Sequence, residues 1–176
     1  MKTLIETKRL VFREISFDDQ EGLFQLHSDP EVQRWTGEPV VKSIEEVEQL
    51  IHIRLNEYKT YGFGRLALIL KEVNKFIGWA GLSYLPEFDS VDLGYRLKRE
   101  YWGMGFATEV SKASIAYGFN KLGLDKIIAI ALPENKASIK VLEKAGMIYD
   151  KIAPYNEIIE EAVWYKLEKK EYYKKT

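Results

Sequence analysis

The sequence predicts one domain of mixed α/β structure, and three observations lead to that prediction. The chain has 176 residues, which is enough for one substantial hydrophobic core and few for two. Amphipathic segments with capping residues at their starts and glycines at their ends indicate helices on either side of the chain centre. Between them, three short runs with hairpin-sized breaks indicate consecutive strands. We expect a single domain over residues 1–176.

The N-terminal region is expected to form a strand, a helix and an irregular connection. Leu10 and Phe12 alternate with the residues between them, which indicates a strand over Thr7–Ser16. A helix is predicted next, over Asp18–Ser28. Proline and glycine then break the pattern, and the connection that they mark carries Trp35.

The second helix has a clear start signal. Ser43 and Glu46 form a capping box, in which each side chain can satisfy a free backbone N–H group at the helix start. Gly62 and Gly64 are expected to end this helix. Its buried stripe follows helical spacing and consists of Ile44, Val47, Leu50, Ile51 and Tyr58.

Three consecutive strands are predicted after this helix, joined by short turns. They are Arg65–Leu70, Phe76–Tyr84 and Ser90–Leu97. In the third strand the side chains alternate between two faces. One face carries Val91, Leu93, Tyr95 and Leu97, and the other carries Asp92, Gly94 and Arg96.

The C-terminal half is expected to alternate helices and strands again. A helix is predicted over Thr108–Leu122, with Gly123 as its C-terminal stop. The continuous apolar run Ile127–Leu132 indicates a strand that is buried on both faces. Asn135 is positioned to cap a short helix that ends at Ala145. The last elements are two strands, Met147–Ile152 and Ala162–Leu167, and a charged tail that is expected to fray, Glu168–Thr176.

Composition narrows the classes of partner. Twenty-six Lys and Arg residues stand against 27 Asp and Glu, so neither a nucleic acid nor a membrane surface is an expected partner. The chain has no cysteine, which excludes disulfides, thiolate zinc sites and a catalytic thiol. His27 and His52 have no metal-ligand spacing, so both are predicted to be structural and no metal is expected. No apolar run has the length of a signal peptide or membrane span, which favours a cytoplasmic protein.

A glycine-containing turn lies between the third central strand and the helix that follows it. Gly103 and Gly105 let the backbone turn sharply and approach a ligand without a Cβ in the way. The free N–H groups of the first helical turn, aided by the helix dipole, favour an anion such as pyrophosphate. A turn of this kind is more often only a turn, and this one matches neither the dinucleotide fingerprint nor the P-loop.

Together with a second segment, the turn resembles the GNAT superfamily of N-acetyltransferases. Tyr101–Glu109 is similar to the Tyr-Trp-Gly-x-Gly-x-Ala-x-Glu motif of the branch that resembles ribosomal-protein-alanine N-acetyltransferases, with Trp102 where the wider family has Gln or Arg. Glu134–Ser138 and Val141–Met147 resemble that branch's Asn-x-x-Ser and Glu-Lys-x-Gly-Phe segments, with Met in place of Phe. The family's early Thr-x-Arg-Leu-x-x-Arg segment is also present, as Thr7, Arg9, Leu10 and Arg13.

This resemblance implies a GNAT-like fold, in which a central, mixed, mostly antiparallel twisted sheet is flanked by helices. It also implies acetyl-CoA as co-substrate and direct acetyl transfer to an amine, with no covalent enzyme intermediate. Backbone groups of Arg96 and Leu97 would pair with pantetheine like an added strand, and an N–H group there would polarise the thioester carbonyl. The pyrophosphate would be held by the loop of Trp102, Gly103, Met104, Gly105, Phe106, Ala107 and Thr108.

Two residues of the second segment are catalytic candidates by this resemblance. Asn135 is either a helix N-cap alone or also a hydrogen-bonding partner of pantetheine or an ordered water. Ser138 is either a small residue in the first helical turn or the donor that protonates the leaving thiolate. Many GNAT enzymes place a tyrosine donor seven residues after the Asn, but that position is Leu142 here.

The general base and the acceptor site are less defined by the sequence. Asp92 and Glu109 are carboxylates near the predicted site, although each is also typical of a solvated surface acid. Trp35, Trp79 and Tyr84 are candidates for lining the acceptor site, although such aromatic residues more often belong to a core. The expected acceptor is a protein N-terminus, a small amine or polyamine, or an amino-acid-like metabolite. The chain is expected to be a monomer or a homodimer.

Two other functional classes stay open at this point. The first is a catalytically silent acyl-CoA-binding sensor or interaction module, because Leu142 replaces the usual donor. The second is a nucleotide-binding protein unrelated to CoA.

Overall fold

The computed structural model describes residues 3–175, and its centre is one eight-stranded sheet. The strands are β1 (Thr3–Glu6), β2 (Leu10–Glu14), β3 (Arg65–Leu70), β4 (Lys75–Leu85), β5 (Ser90–Leu97), β6 (Lys126–Ala131), β7 (Ile148–Ala153) and β8 (Ala162–Glu168). Their order across the sheet is β1-β2-β3-β4-β5-β6-β8-β7. Neighbouring strands are antiparallel except β5 and β6, which are parallel. The predicted mixed, mostly antiparallel sheet is therefore confirmed.

Helices cover both faces of this sheet. In the described part of the chain they are α1 (Gln20–His27), α2 (Pro30–Gln33), α3 (Ile44–Tyr61), α4 (Phe106–Asn120), α5 (Lys136–Lys144) and α6 (Lys169–Lys175). Side chains of β3 show the division, because successive residues of a strand point to opposite faces. Leu66 and Leu68 pack in one core with Phe106 and Val110 of α4, whereas Ala67 packs in another core with residues of α1 and α3.

The start and end of α3 follow the signals in the sequence. The Ser43 side chain accepts a hydrogen bond from the Glu46 N–H group at 3.4 Å, and the Glu46 carboxylate accepts one from the Lys42 N–H group. Gly62 ends the helix with a left-handed backbone (φ 77°). Both signals depend on neighbouring residues alone. The Ser43 cap and the helix end at Gly62 are confirmed, whereas the Glu46 carboxylate bonds to the N–H group of Lys42 instead of that of Ser43.

Three elements differ from the prediction. Strand β1 was not expected, and the connection that carries Trp35 contains α2, whose first turn is capped by Asp29. The tail does not fray over its described length but forms α6. Tyr172 packs against Phe119 with ring centroids 5.0 Å apart, and the Tyr173 hydroxyl donates to Asn120. Two tyrosines therefore anchor a segment whose charge suggested fraying.

The pairing of β5 determines where the sheet opens. Along β4 it is paired over its full length, from Ser90 to Leu97. On the side of β6, within residues 3–175, β5 is paired at one position alone, where Asp92 faces Ile128. The two parallel strands therefore part beyond this point, and their facing edges leave a gap on the side of the Leu97 end.

None of the helices within residues 3–175 combines the length and the apolar character needed to cross a bilayer.

We predict that Gly78→Ala destabilises the fold severely, because β5 runs too close for a side chain there. A Cβ at Gly78 would collide with the Arg96 carbonyl oxygen and lie 2.9 Å from the Leu97 Cα atom, and its φ is +151°. Positive-φ strain and overpacking together should cost about 2–5 kcal/mol in the free energy of unfolding, measured by urea denaturation.

Gly62→Ala is the matched control. Its φ is +77°, but a Cβ there would have no heavy atom within 4 Å. Strain alone should cost about 1–2 kcal/mol. Equal losses in the two variants would show that the close approach of β5 at Gly78 has no energetic weight.

Candidate active site

A cavity of about 430 Å³ occupies the gap between β5 and β6. One wall is the end of β5, and the other is formed by Ile130, Ala131 and the first turns of α5. The loop before α4 closes one end, and residues around α2 reach the other. The residues of the predicted site that line it are Arg96, Leu97, Trp102, Gly103, Gly105, Phe106, Ala107, Thr108, Asn135 and Ser138. Met104 does not line the cavity, and this residue is 54% exposed.

The loop before α4 requires glycine for its backbone conformation. Gly103 and Gly105 have φ values of 73° and 78°, in the left-handed region that other residues rarely adopt. A Cβ at Gly103 would have no heavy atom within 4 Å, so conformation rather than space is the constraint. Gly105 is the N-cap of α4, which begins at Phe106, two residues earlier than predicted.

The start of α4 is suited to an anion. The first N–H group of this helix in the backbone ladder is that of Glu109, which donates to the Gly105 carbonyl oxygen at 3.1 Å. The amides of Phe106, Ala107 and Thr108 precede it and have no acceptor within the helix. Three N–H groups at the positive end of the helix dipole therefore face the cavity mouth. This helix start therefore has the features of an anion-binding site.

Arg9, which directly precedes strand β2, fixes this loop. Its guanidinium lies 3.9 Å from the Phe106 ring centroid and donates to the Met104 carbonyl oxygen at 2.9 Å. It also pairs with the Glu109 carboxylate at 2.6 Å. Burial opposes the ionised form of Glu109, but hydrogen bonds from Thr7 and Arg9 outweigh it and lower the pKa of this carboxyl. Glu109 therefore holds the loop in place and is not free to act as a base.

Trp102 connects the loop to the end of β5. Its indole N–H group donates to the Leu97 carbonyl oxygen at 2.8 Å, so the backbone of Leu97 faces away from β4 and towards the cavity. Backbone direction alternates along a strand. The N–H and C=O groups of Tyr95 therefore face the cavity as well, whereas those of Arg96 face β4. The expected pairing edge at Arg96 and Leu97 is therefore open to a ligand at Leu97 and Tyr95, while the backbone of Arg96 pairs with β4.

The second predicted segment forms the opposite wall. Asn135 is the N-cap of α5, and its side-chain oxygen accepts a hydrogen bond from the Ser138 N–H group at 3.0 Å. The Ser138 hydroxyl accepts a hydrogen bond from the Tyr95 hydroxyl at 3.3 Å. Leu142 is buried and has no proton to give. Sequence reasoning did not identify Tyr95, since only the fold brings its hydroxyl to Ser138.

The other face of β5 carries charged side chains in a buried network. The Arg96 guanidinium contacts Gln33 at 2.8 Å and Glu38 at 3.0 Å, and it lies 5.0 Å from the Trp79 ring centroid. Burial lowers the pKa of Arg96, although Glu38 acts in the opposite direction. Asp92 lies on the same face in an ion pair with Arg65. Burial nevertheless raises the pKa of Asp92. Asp92 was the other candidate for the general base, and its carboxylate is engaged by Arg65.

His27 belongs to this network and stays neutral. Its Nε2 atom lies 3.2 Å from the Trp79 indole nitrogen, and its Nδ1 atom lies 3.0 Å from the Arg96 guanidinium. A neutral imidazole has one acceptor nitrogen, so only one of these contacts is a hydrogen bond at a time. Burial and the nearby charges of Arg96 and Arg54 lower the pKa of His27 to about 3.

Of the three aromatic residues predicted for the acceptor site, Trp35 lies at the cavity, with Val32 and Thr36 beside it. Trp79 packs on His27, and the Tyr84 hydroxyl donates to Asp89 at 2.6 Å. Neither of these two lines the cavity. Among residues 3–175, no group of three or more His, Cys, Asp or Glu side chains is arranged to hold a metal ion.

A mixed sheet that opens beside a helix start suited to an anion is the arrangement that the sequence resemblance implies for an acetyltransferase. The chain belongs to the GNAT acetyltransferase family: the family's sequence model, described as an acetyltransferase (GNAT) domain, matches residues 9–148. This confirms the resemblance seen in the sequence, and the chain is an acetyl-CoA-dependent N-acetyltransferase.

Similar proteins support this assignment. The chain is 34% identical over 157 residues to an uncharacterized N-acetyltransferase, p20, of Bacillus licheniformis, covering 85% of this chain and 87% of that protein. The crystal structure of a GNAT-family acetyltransferase from Bacillus anthracis superposes with a TM-score of 0.80 at 26% identity, covering 94% of this chain and 98% of that one. The ribosomal-protein-S5-alanine acetyltransferase of Vibrio fischeri shares the fold, with a TM-score of 0.76 at 22% identity over 93% of this chain and 95% of that one.

We predict that Gly105→Ala weakens the binding of CoA by changing the conformation of the loop before α4. The left-handed backbone at this position costs a side chain about 1–2 kcal/mol, so the loop would relax into other conformations. Because only the original conformation presents the amides, the dissociation constant for CoA should rise about 5- to 30-fold by calorimetry. Gly123→Ala has the same kind of backbone (φ +71°) away from the cavity and should leave that constant unchanged. Equal affinities in both variants would contradict this role of the loop.

We also predict a pH dependence of stability that originates at His27. The unfolded residue binds a proton below its ordinary pKa of 6.5, whereas the folded residue stays neutral down to a pKa of about 3. The free energy of unfolding should therefore decrease as pH falls from 6.5 towards 3, by about 1.4 kcal/mol per pH unit from this group. His27→Gln should remove that part of the slope in denaturation curves at several pH values. An unchanged slope would show that the buried ring accepts a proton.

Proposed function

We propose that the enzyme acetylates a primary amine, of a protein N-terminus or of a small molecule, by direct attack of the amine on acetyl-CoA in a ternary complex. One observation carries this proposal. The residues at the start of α4 and Ser138 of α5 line the same cavity. An anion bound by the α4 amides and a thioester placed at the Ser138 hydroxyl would then be two parts of one extended acetyl-carrier molecule.

The cofactor-binding half of the site is assigned mainly to backbone groups. The amides from Gly103 to Thr108 would hold the pyrophosphate, with the loop shape fixed by Arg9. The cavity-facing backbone of Tyr95 and Leu97 would pair with pantetheine like an added strand. An N–H group of this edge would also polarise the thioester carbonyl and stabilise the negative charge that develops there.

Ser138 is assigned to the leaving group. When the amine attacks, the carbon–sulfur bond breaks and the sulfur leaves with negative charge. The Ser138 hydroxyl hydrogen is free to point into the cavity, because this oxygen accepts from Tyr95. Asn135 is a positioning residue here, since its side chain holds the Ser138 N–H group and fixes the first turn of α5. This transfer uses no metal.

The acceptor is assigned to the end of the cavity that Trp35 and Thr36 line. Attack requires the neutral amine, so a proton must leave it first. Asp92 and Glu109 are both held in ion pairs, with Arg65 and Arg9 respectively. We therefore assign the proton to water that enters from the open cavity mouth, and turnover should rise with pH up to the pKa of the amine.

A panel of amines tests the proposed function. Purified protein with acetyl-CoA should release CoA with at least one acceptor among spermidine, a free amino acid, and peptides that start with alanine or serine. The chain has no cysteine, so a thiol reagent reports CoA alone. We expect a kcat of about 1 s⁻¹ or more for the preferred class.

The control is the same reaction with acetyl-CoA and no amine. Acetyl-CoA binding by calorimetry without turnover on any amine would contradict catalysis and favour an acyl-CoA sensor. Stabilisation of the protein by ATP but not by CoA would favour a nucleotide-binding protein instead.

A further inference from the structure

Tyr95 carries a hydroxyl group in the cavity, and the proposed function gives this group no chemical role. It lies on the same face of β5 as Leu93 and Leu97, and it lines the cavity. Its ring is half-buried, and its hydroxyl reaches Ser138 of α5 at 3.3 Å. The contact thus joins the two walls that part beyond Asp92, at the point where the thioester would lie.

Other tyrosines of the protein have different partners. The Tyr58 hydroxyl donates to the Arg65 carbonyl oxygen and accepts from the Ile15 N–H group, and the Tyr165 hydroxyl donates to the Glu143 carboxylate at 3.1 Å. Those contacts join structural elements through backbone or charged groups. The Tyr95 hydroxyl instead donates a hydrogen bond to a second hydroxyl group, that of Ser138, in the cavity wall. A phenylalanine would pack equally well but could not make this bond.

Acidity separates the two hydroxyl groups. A phenol has a pKa of about 10, close to the value of about 8.5 for an alkyl thiol, whereas the pKa of an aliphatic hydroxyl is far higher, like that of water. Burial raises the pKa of Tyr95, while its bond to Ser138 acts in the opposite direction, so the phenol keeps its proton at neutral pH. A serine that gives a proton to a thiolate therefore needs a more acidic group behind it.

We infer that Tyr95 supplies the proton that Ser138 passes to the departing thiolate of CoA, an inference that rests on the role proposed above for Ser138. The carbon–sulfur bond breaks and a sulfur–hydrogen bond forms with the Ser138 proton. The Ser138 oxygen takes the Tyr95 proton, which leaves a phenolate. Water at the cavity mouth, which receives the proton lost by the amine, returns one to Tyr95. Tyr95 is thus a positioning and relay residue that acts through Ser138.

Steady-state kinetics of four proteins test this relay: the wild type, Tyr95→Phe, Ser138→Ala and the double variant. With the best amine of the panel, Tyr95→Phe should lower kcat about tenfold and leave the KM for acetyl-CoA within about twofold. The double variant should be no slower than Ser138→Ala, because the two residues act as one unit. Tyr165→Phe is the matched control, since it removes a hydroxyl that contacts α5 outside the cavity, and it should keep the wild-type kcat.

The ionisation of bound CoA gives a second measurement that needs no acceptor. The hydroxyl pair should stabilise the thiolate of CoA, so its pKa in the complex should be lower in the wild type than in Tyr95→Phe. The thiolate is followed by ultraviolet absorbance during a pH titration, with the desulfo-CoA complex as the blank. We expect a change of about three- to tenfold in the acidity constant of the thiol.

These two measurements distinguish the relay from the proposed function. A change in thiol acidity without turnover on any amine would contradict the proposed function but support the Tyr95–Ser138 pair. Wild-type kcat and thiol acidity in Tyr95→Phe would overturn the relay. A double variant slowed by the product of the two single effects would overturn it as well, since the residues would then act independently.

Discussion

The single pairing between Asp92 and Ile128 is the constraint on which the site depends. A parallel pair that continued along β5 would satisfy the backbone of Tyr95 and Leu97 and would fill the gap. Because the strands part, that backbone faces a cavity, and the two walls are free to carry different groups. The loop at Gly105 and the first turn of α5 both line this opening. One departure from regular sheet structure thus creates room for a ligand and the polar groups that would bind it.

Charged groups around the opening keep its shape. Arg96 and Asp92 lie on the face of β5 opposite to Tyr95, and each is matched by a partner, Glu38 and Arg65 respectively. Removing one partner would leave an uncompensated buried charge, which is far more costly than the pair is stabilising. These ions therefore fix the position of β5, and they leave the chemistry to hydroxyl and amide groups.

Local signals in the sequence predicted much of the fold. The capping pair at Ser43 and the glycines at Gly62 and Gly105 act within a few residues, so the helix boundaries that they mark are largely correct. Strand β1 was missed because Thr3–Glu6 is short and has no clear alternation. The tail was misjudged because the rings that hold α6 pack on α4, a distant contact that composition does not reveal.

The site divides in the same way. The loop from Trp102 to Thr108 was assigned by its resemblance to the family motif, since its glycines and its place before a helix are local properties but do not by themselves indicate a ligand. The contacts of Tyr95 with Ser138 and of Arg9 with Glu109 join residues far apart in the chain, and only the folded sheet brings them together. Sequence alternation placed Tyr95 on the correct face of β5, but no local signal gave its partner.

The contacts of Arg9 have a consequence for the N-terminal strands. Arg9 precedes β2 and holds the Met104 carbonyl and the Glu109 carboxylate, so the loop keeps its shape only while this end of the sheet is folded. Thermodynamic linkage makes such a coupling reciprocal. A carrier bound at the loop would make local unfolding of β1 and β2 less favourable, and fraying of these strands would in turn weaken binding of the carrier. The edge of the sheet farthest from β6 would therefore take part in the binding equilibrium, although it contributes no wall to the cavity.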